Sequence, residues 1–347
     1  MKNIWGHSPF IIAEMSGNHN QSLARALDIV KAAAKAGVQA LKIQTYTADT
    51  MTLDIGTKEF FIKEPKNLWK GKSLYNLYQE AHTPWSWHRP IFALCKKLGI
   101  IGFSTPFDAT AVDFLEALNV PMYKISSFEL VDIPLIKKVA STGKPLIIST
   151  GMATIQEIRE AVSAAKSEGA KDIALLKCTS SYPASPLDSN LVTLLDMNKK
   201  FNCSVGLSDH TLGIGVAIAA IGLGATVIEK HFSLSRSEGG VDAAFSMEPD
   251  EMRQLVEASK IAWQALGSVQ YGPVKGERIS LKYRRSLYVV RDMKAGEKFN
   301  SENLRAIRPG FGVSPKYYNR ILGKVVNKRI KRGTPVRWDM ICAVKDH

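Results

Sequence analysis

SVGLSDHTLGIGVAIAAIGLGATVIEKHFSL, residues 204–234, is the stretch whose reading decides the fold. Within it, Thr211 to Ile228 is 18 residues without a charge, near the length of a membrane span, yet it holds four glycines and is closed by Glu229, Lys230 and His231. A buried helix leading into a buried strand accounts for it better than a membrane span. SVGLSDH (204–210) and TVIEKHFSL (226–234) are then two strands separated by a helix, each apolar along its length and polar at its end.

The same unit recurs upstream. FIIAEMS (10–16), ALKIQTY (40–46), IIGFSTPF (100–107), MYKISSFE (122–129), PLIISTGM (145–152) and IALLKCTSSY (173–182) have the same form. Amphipathic segments such as LARALDIVKAAAKAG, ending on Gly37, and TIQEIREAVSAAKSEG lie between them. Eight strand–helix units predict an α/β chain folded as a TIM (β/α)8 barrel over residues 1–271. The rhythm breaks at residues 47–98, where aromatic-rich material follows the second strand and is expected to shape the active-site face. The alternative is a surface excursion packed by its own aromatics.

A linker is expected at 272–284 and a small β-rich domain at 285–347. Its weak internal repeat sets Asp292-Met-Lys-Ala-Gly296 against Arg329-Ile-Lys-Arg-Gly333, with Leu304 and Ile341 each eight residues beyond the glycine. The chain carries 46 basic and 32 acidic side chains, +14. From Lys275 onward 19 are basic and 6 acidic, so +13 of that charge sits in the tail. The basic residues form no recognised nucleic-acid-binding pattern, so neither nucleic acid nor a membrane is an expected partner. A non-enzymatic carbohydrate or nucleic-acid binder is therefore disfavoured. Four cysteines (Cys95, Cys178, Cys203, Cys342) without a CxxC spacing, and a start, MKNIWGHSPF, unlike a signal peptide, point to the cytoplasm.

Alternate side chains of a barrel strand face inward, and those at the C-terminal ends line the reaction site. The candidates are Glu14 and Ser16; Lys42, Gln44 and Tyr46; Lys124 and Ser126; Lys177, Thr179 and Ser181; Ser208 and His210; Glu229 and His231. Charges inside apolar strands cost several kcal/mol unless compensated, so Lys42, Lys124, Lys177 and Lys230, with Thr105, Ser127, Ser149 and Ser208, read as a cradle for a multiply charged anion such as phosphate. Parity points Lys230 away from the centre. The competing reading is a set of salt bridges with Glu14, Glu129 and Glu229.

His210 and His231 end neighbouring strands and suit one divalent cation, with water or Asp209, Glu229 or Asp242 completing its shell. Two nitrogen ligands among oxygens favour Mn²⁺, with Mg²⁺ or Co²⁺ as alternatives, over a closed zinc site. The expected chemistry is a metal-assisted reaction between a phosphorylated anion and a carbonyl compound. A Schiff-base aldolase is the rival, because a desolvated lysine could be its nucleophile.

IAEMSGNHN, LKIQTY, FSTPFD, YKISS, GKPLIISTGM, CTSSYP, GLSDHTLG, EKHF, RRSLYVV and RPGFG together resemble the sialic-acid synthase family over nearly the whole chain. The resemblance implies a TIM barrel followed by an antifreeze-like (SAF) domain. It implies an enzyme, a transferase that condenses phosphoenolpyruvate with an amino sugar to a nine-carbon 2-keto acid.

LYNLYQEAHTPWSWH, LKCTSSYP and SRSEGGVDAAFSM look like the pseudaminic-acid-forming branch, with 2,4-diacetamido-2,4,6-trideoxy-L-altrose as acceptor. The N-acetylneuraminate- and legionaminic-acid-forming branches are the alternatives. Carried over by motif, Lys42, Thr105, Lys124, Ser127, Ser149 and Ser208 would hold phosphoenolpyruvate, and His210 and His231 would ligate Mn²⁺. Glu14, Glu229 and Asp242 would face the reacting carbons, and Gln44 and Tyr182 the sugar. Arg308 resembles an arginine that reaches into the barrel of a partner subunit, which implies a domain-swapped homodimer. Simple alternation puts Ser126 rather than Ser127 on the lysine face, so a bulge or the strand end must bring Ser127 round.

Overall fold

The computed structural model describes residues 8–65 and 67–342, and the chain divides into two compact units between Gly267 and Ser268. In the first unit the eight apolar runs become strands β1 (Phe10–Glu14), β2 (Ala40–Thr45), β3 (Ile101–Pro106), β4 (Tyr123–Ile125), β5 (Leu146–Ser149), β6 (Ile173–Cys178), β7 (Ser204–Asp209) and β8 (Val227–His231). All are parallel and close into a barrel in chain order, β1 pairing with β8. The expected (β/α)8 barrel is the fold.

Because side chains alternate, each strand feeds two apolar clusters. Ile11, Ala13, Leu41, Ile43, Ile148, Leu175 and Leu207 pack outward against the helices. Phe10, Ile12, Ala40, Phe103, Met122, Ile147, Leu176 and Val227 fill the barrel axis. Above this plug the same axial rows continue with Glu14, Lys42, Lys124, Ser149, Ser208 and Glu229, all buried. The register pairs Glu14 with both Lys42 and His231, and Ser208 with both Cys178 and Glu229, which sets these polar ends at neighbouring levels. Gly206 lies in the axial row of β7 below Ser208. A Cβ there would stand 2.3 Å from the Val227 carbonyl oxygen, so no larger residue fits without moving the strands.

The helix Leu23–Ala36 starts on Ser22, whose side chain accepts from the Arg25 N–H, and ends on Gly37 at φ 88°. Thr154 and Glu157 form a capping box at the start of Ile155–Ser167. The uncharged stretch is the helix Gly215–Gly222 followed by β8, and among the described residues no helix is long and apolar enough to cross a membrane.

Residues 47–98 are only partly an insertion. The helix Trp85–Lys97 packs on β3 and on the helix Leu23–Ala36 and is the barrel's own layer after β2, so the extra material is residues 47–84. That material does not pack only on itself. The Trp69 indole N–H donates to the Val241 carbonyl at 2.9 Å, and its ring lies 6.0 Å from that of Tyr182.

The second unit has its own core of Leu287, Val289, Met293, Phe299, Leu304, Val313, Ile321, Val326, Ile330, Val336 and Met340. Strands β9 (Ser286–Val289) and β10 (Leu304–Ile307) pair antiparallel. The internal repeat is a structural pseudo-two-fold. Met293 and Ile330, equivalent in the two copies, exchange backbone hydrogen bonds of 2.8 and 2.9 Å. Gly296 N–H donates to Val326 as Gly333 N–H donates to Val289, and the two glycines have φ 86° and 85°. The stretch read as a linker contains a 3₁₀ segment, Lys275–Tyr283.

Candidate active site

At the C-terminal end of the barrel, two lysines and two carboxylates meet in a site from which water is largely excluded. Lys42 Nζ lies 2.8 Å from Glu14 Oε2 and 3.7 Å from Glu229 Oε1, and donates to Thr105 Oγ1 at 3.1 Å. Lys124 Nζ is 3.9 Å from Glu229 Oε1 and donates to the Ile125 carbonyl. Gln44 donates to Glu14, and Ser208 to Glu229.

Burial pushes the Glu14 carboxyl up to about 7; Lys42 opposes the rise and Glu229 adds to it. Burial likewise disfavours the Glu229 anion, but Lys124 and Lys42 outweigh it and hold this carboxyl below its usual range. Burial pulls both ammonium groups down; Glu14 and Glu229 lift Lys42 above its ordinary value, while Lys124, farther from a carboxylate, stays below.

Both readings of the lysines are thus present in one geometry. In the free chain Lys42 and Lys124 are salt-bridged to Glu14 and Glu229, as the competing reading expected. The bridges leave groups unanswered. Ser149 Oγ and Glu229 Oε2 are buried with no hydrogen-bond partner among the described residues. An unpaired buried polar atom costs about 1–3 kcal/mol, which a ligand bound there would recover.

Strand β4 stops at Ile125, so alternation no longer governs the next residues. Ser126 turns to Glu129 as a hydrogen-bond donor, and Ser127 Oγ lies 2.9 Å from Ser180 Oγ. The strand end, not a bulge, sets the direction of Ser127, which meets Ser180 and makes no hydrogen bond to Lys42 or Lys124 among the described residues.

The expectations for Lys177, Asp209, Thr179 and Ser181 are corrected. Lys177 does not join the cradle: the pairing of β6 with β7 places it opposite outward-facing Leu207, half-exposed, its Nζ bonded to the Cys178 carbonyl. Cys178, opposite Ser208, holds the axial place instead. Asp209 is no ligand candidate, because it pairs with Lys230 at 2.7 Å on the outer face and bonds the Thr211 N–H and hydroxyl. Lys230, which also donates to the Thr211 carbonyl, is thereby outside the cradle, as its parity indicated. Thr179 and Ser181 lie beyond the end of β6; the first bonds the Asp188 carbonyl and the second is exposed.

The histidine pair is assembled as expected, with ring centroids 5.3 Å apart. His210 Nδ1 sits 2.9 Å from the Thr179 carbonyl, which fixes its proton there and leaves Nε2 as the lone-pair nitrogen. His231 Nδ1 is buried with no hydrogen-bond partner among the described residues, 3.6 Å from Asp242 Oδ2. Burial, then the neighbouring His210, hold His231 well below its ordinary value, so it is neutral at pH 7. Two imidazoles this close, one with an orphaned ring nitrogen, are the pair the sequence reading expected, but among the described residues no group of three or more His, Cys, Asp or Glu side chains is arranged to hold a metal ion.

Asp242 is held by the Ser16 hydroxyl and by its own carbonyl, which accepts from Ser246 at 2.7 Å. Tyr182 and Phe245 wall this pair. The Tyr182 ring is 4.4 Å from His210, and Phe245 is 4.9 Å from His231. Cys178, Ser180, Phe245 and Trp69 are site neighbours that sequence reasoning did not place here, whereas Ser16, a candidate from its place at the end of the first strand, does reach Asp242. Arg308 belongs to the second unit, where it is exposed and makes no hydrogen bond or ion pair among the described residues.

A parallel barrel with a buried acid–lysine cluster and a histidine pair at its C-terminal mouth, followed by a small pseudo-symmetric β unit, defines an enzyme of the sialic-acid synthase type. The sequence profile of the NeuB family matches residues 29–271 and that of the SAF domain residues 284–341, and the chain belongs to the NeuB family. It is 44% identical over 331 residues to a pseudaminic acid synthase of Campylobacter jejuni, covering 94% of this chain and 95% of that one. It is 38% identical over 337 residues to an N,N'-diacetyllegionaminic acid synthase of Legionella pneumophila, covering 96% and 94%. The crystal structure of an N-acetylneuraminic acid synthetase from Leptospira borgpetersenii in complex with citrate superposes with a TM-score of 0.71 at 31% identity, covering 79% of this chain and 90% of that one.

Proposed function

We propose that this chain condenses phosphoenolpyruvate with 2,4-diacetamido-2,4,6-trideoxy-L-altrose and water, giving pseudaminic acid and phosphate. The observation that carries the reading is the buried, incompletely satisfied set of Lys42, Lys124, Ser149 and Ser208 beside Glu14 and the histidine pair. The acceptor is chosen on the greater similarity to the pseudaminic acid synthase.

Lys42 and Thr105, with Lys124, Ser127, Ser149 and Ser208, hold phosphoenolpyruvate, the lysines exchanging carboxylate partners for the substrate's oxygens. His210 and His231 hold a divalent ion, Mn²⁺ first, which when bound supplies Lewis-acid polarisation of the acceptor's open-chain aldehyde. C3 of phosphoenolpyruvate forms a bond to that aldehyde carbon, whose oxygen takes up a proton to become a hydroxyl; water adds to the oxocarbenium carbon left at C2, and the C2–O bond to phosphate breaks as the new C2 hydroxyl gives up its proton and becomes the keto group. Glu14, with its raised pKa, takes the proton of the attacking water; Glu229 stays ionised and offsets the positive charge that develops at C2. Asp242 faces the reacting carbons, and Gln44 and Tyr182 the sugar.

The test measures phosphate release with the altrose-derived sugar, its legionaminic-type isomer or N-acetylmannosamine, each with Mn²⁺ and with EDTA. Release with the first sugar and metal only is expected. Release with N-acetylmannosamine instead overturns the acceptor assignment, and undiminished release in EDTA the metal.

The Glu14 role fixes a pH dependence. Its carboxyl loses its proton near pH 7, so kcat/KM is expected to rise about tenfold per pH unit below that value and to level above it. Glu14→Gln should be slow and flat across the same range; a limb that survives in the variant belongs to another group.

We further propose that the enzyme works in the cytoplasm as a homodimer in which Arg308 of one chain serves the barrel of the other. Free thiols at all four cysteines suit a reducing compartment. Arg308 is exposed without a partner in its own unit, and the loops after β4, β5 and β6 expose Phe128, Met152 and Leu187 at 58%, 61% and 90%. Mixing Arg308→Ala with His210→Ala chains, each inactive alone, should restore up to about a quarter of wild-type activity, the statistical share of sites with both residues intact. Verified mixed dimers without rescue rule out sharing.

A further inference from the structure

We propose that Trp69 is an acceptor-specificity residue, whose indole ring makes the enzyme prefer sugars ending in a C6 methyl over those ending in a hydroxymethyl group. The inference rests on the acceptor reading above and adds a recognition element to it.

Trp69 comes from residues 47–84, the part of the chain that is extra to the barrel. It is anchored by its N–H on the Val241 carbonyl, one residue before Asp242, and its ring meets Tyr182 at 6.0 Å and 55°. Tyr182 in turn lies 5.2 Å from Phe245, and these two rings flank His210 and His231. Trp69, Tyr182 and Phe245 thus form one aromatic surface that starts at the histidine pair and runs outward to the insertion. The charged and hydroxyl groups of the cluster come from the axial rows of the strands; this surface comes from the loops.

A six-carbon acceptor with its carbonyl carbon at the histidines has its phosphoenolpyruvate-facing end fixed, and its far carbons extend along the rings. A methyl group packs there without loss. A hydroxymethyl group either leaves its hydroxyl unpaired against ring faces or turns it to solvent and loses the contact. An apolar wall discriminates against an added hydroxyl by up to about 100-fold, which sets the size of the expected effect.

The experiment compares kcat/KM for 2,4-diacetamido-2,4,6-trideoxy-L-altrose and its 6-hydroxy counterpart in wild type, Trp69→Ala and Trp69→Phe. Wild type is expected to favour the 6-deoxy sugar by about 10- to 100-fold. Trp69→Ala should bring the ratio to within about threefold, through KM for the sugar, with KM for phosphoenolpyruvate unchanged. Trp69→Phe, which keeps a ring but not the N–H, should retain most of the preference.

An unchanged ratio in Trp69→Ala overturns the proposal. So does a Trp69→Phe chain that behaves like the alanine variant, which would transfer the effect to the hydrogen bond on Val241. Wild-type turnover of N-acetylmannosamine but of neither diacetamido sugar fails the acceptor reading itself, and is told apart by needing no variant.

Discussion

Replacing Lys42 by methionine is expected to lower the stability of the barrel by about 3–5 kcal/mol and its turnover by at least about 100-fold. The stability loss comes from what the substitution leaves behind. Lys42 is the cation between Glu14, at 2.8 Å, and Glu229, at 3.7 Å, and all three groups are buried. Without it two carboxyls face each other, with Lys124 3.9 Å from Glu229. Glu14, already pushed up to about 7 by burial, would then stay protonated at pH 7, while Glu229 keeps its charge at a higher cost.

A second substitution separates folding from chemistry. Lys42→Met with Glu14→Gln removes one cation and one ionisable acid together, and should regain most of the stability while staying inactive. Urea unfolding and phosphate release are the two measurements. A single variant as stable as wild type would mean that the cluster is not the closed ion pair described here.

On the proposed metal reading, His231→Ala is expected to abolish Mn²⁺ binding and to lower turnover at least about 1,000-fold, because Lewis-acid assistance is worth several kcal/mol. It is a cleaner variant than His210→Ala. Among the described residues His231 Nδ1 has no hydrogen bond to lose, whereas removing His210 strips the Thr179 carbonyl of its donor at 2.9 Å. The folded chain should therefore unfold at nearly the wild-type denaturant concentration, with metal content after dialysis as the independent readout. Full metal retention in His231→Ala would remove this residue from the ligand set.

Much of this site was legible before any coordinates. A charged or hydroxyl residue at the end of an otherwise apolar strand is costly to bury without a purpose at the barrel mouth, and Glu14, Lys42, Lys124, Ser149, Ser208, Glu229 and His231 all stand there, Ser149 without a hydrogen-bond partner among the described residues. Ser127 is named by motif and not by alternation, since β4 ends before it. Lys177 failed for a different reason. Both it and Cys178 close an apolar run, and a lysine looked the better candidate for an anion site.

The succession of strand-length runs and helical segments determined by itself that the chain is a (β/α)8 barrel followed in sequence by a small pseudo-symmetric unit. Local hydrophobic period and glycine placement encode both, and neither depends on distant contacts. Only the tertiary structure decided which side of β6 faces the axis, that Asp209 is bound to Lys230 outside the cradle, and that Trp69 reaches the wall beside the histidines. In a strand buried on both faces the apolar pattern has no parity, so facing is set by register with the neighbours. At β7 that register is pinned where Gly206 passes the Val227 carbonyl too closely for any side chain. The position of Trp69 depends on a hydrogen bond to a residue 172 places along the chain, and no local pattern carries that distance.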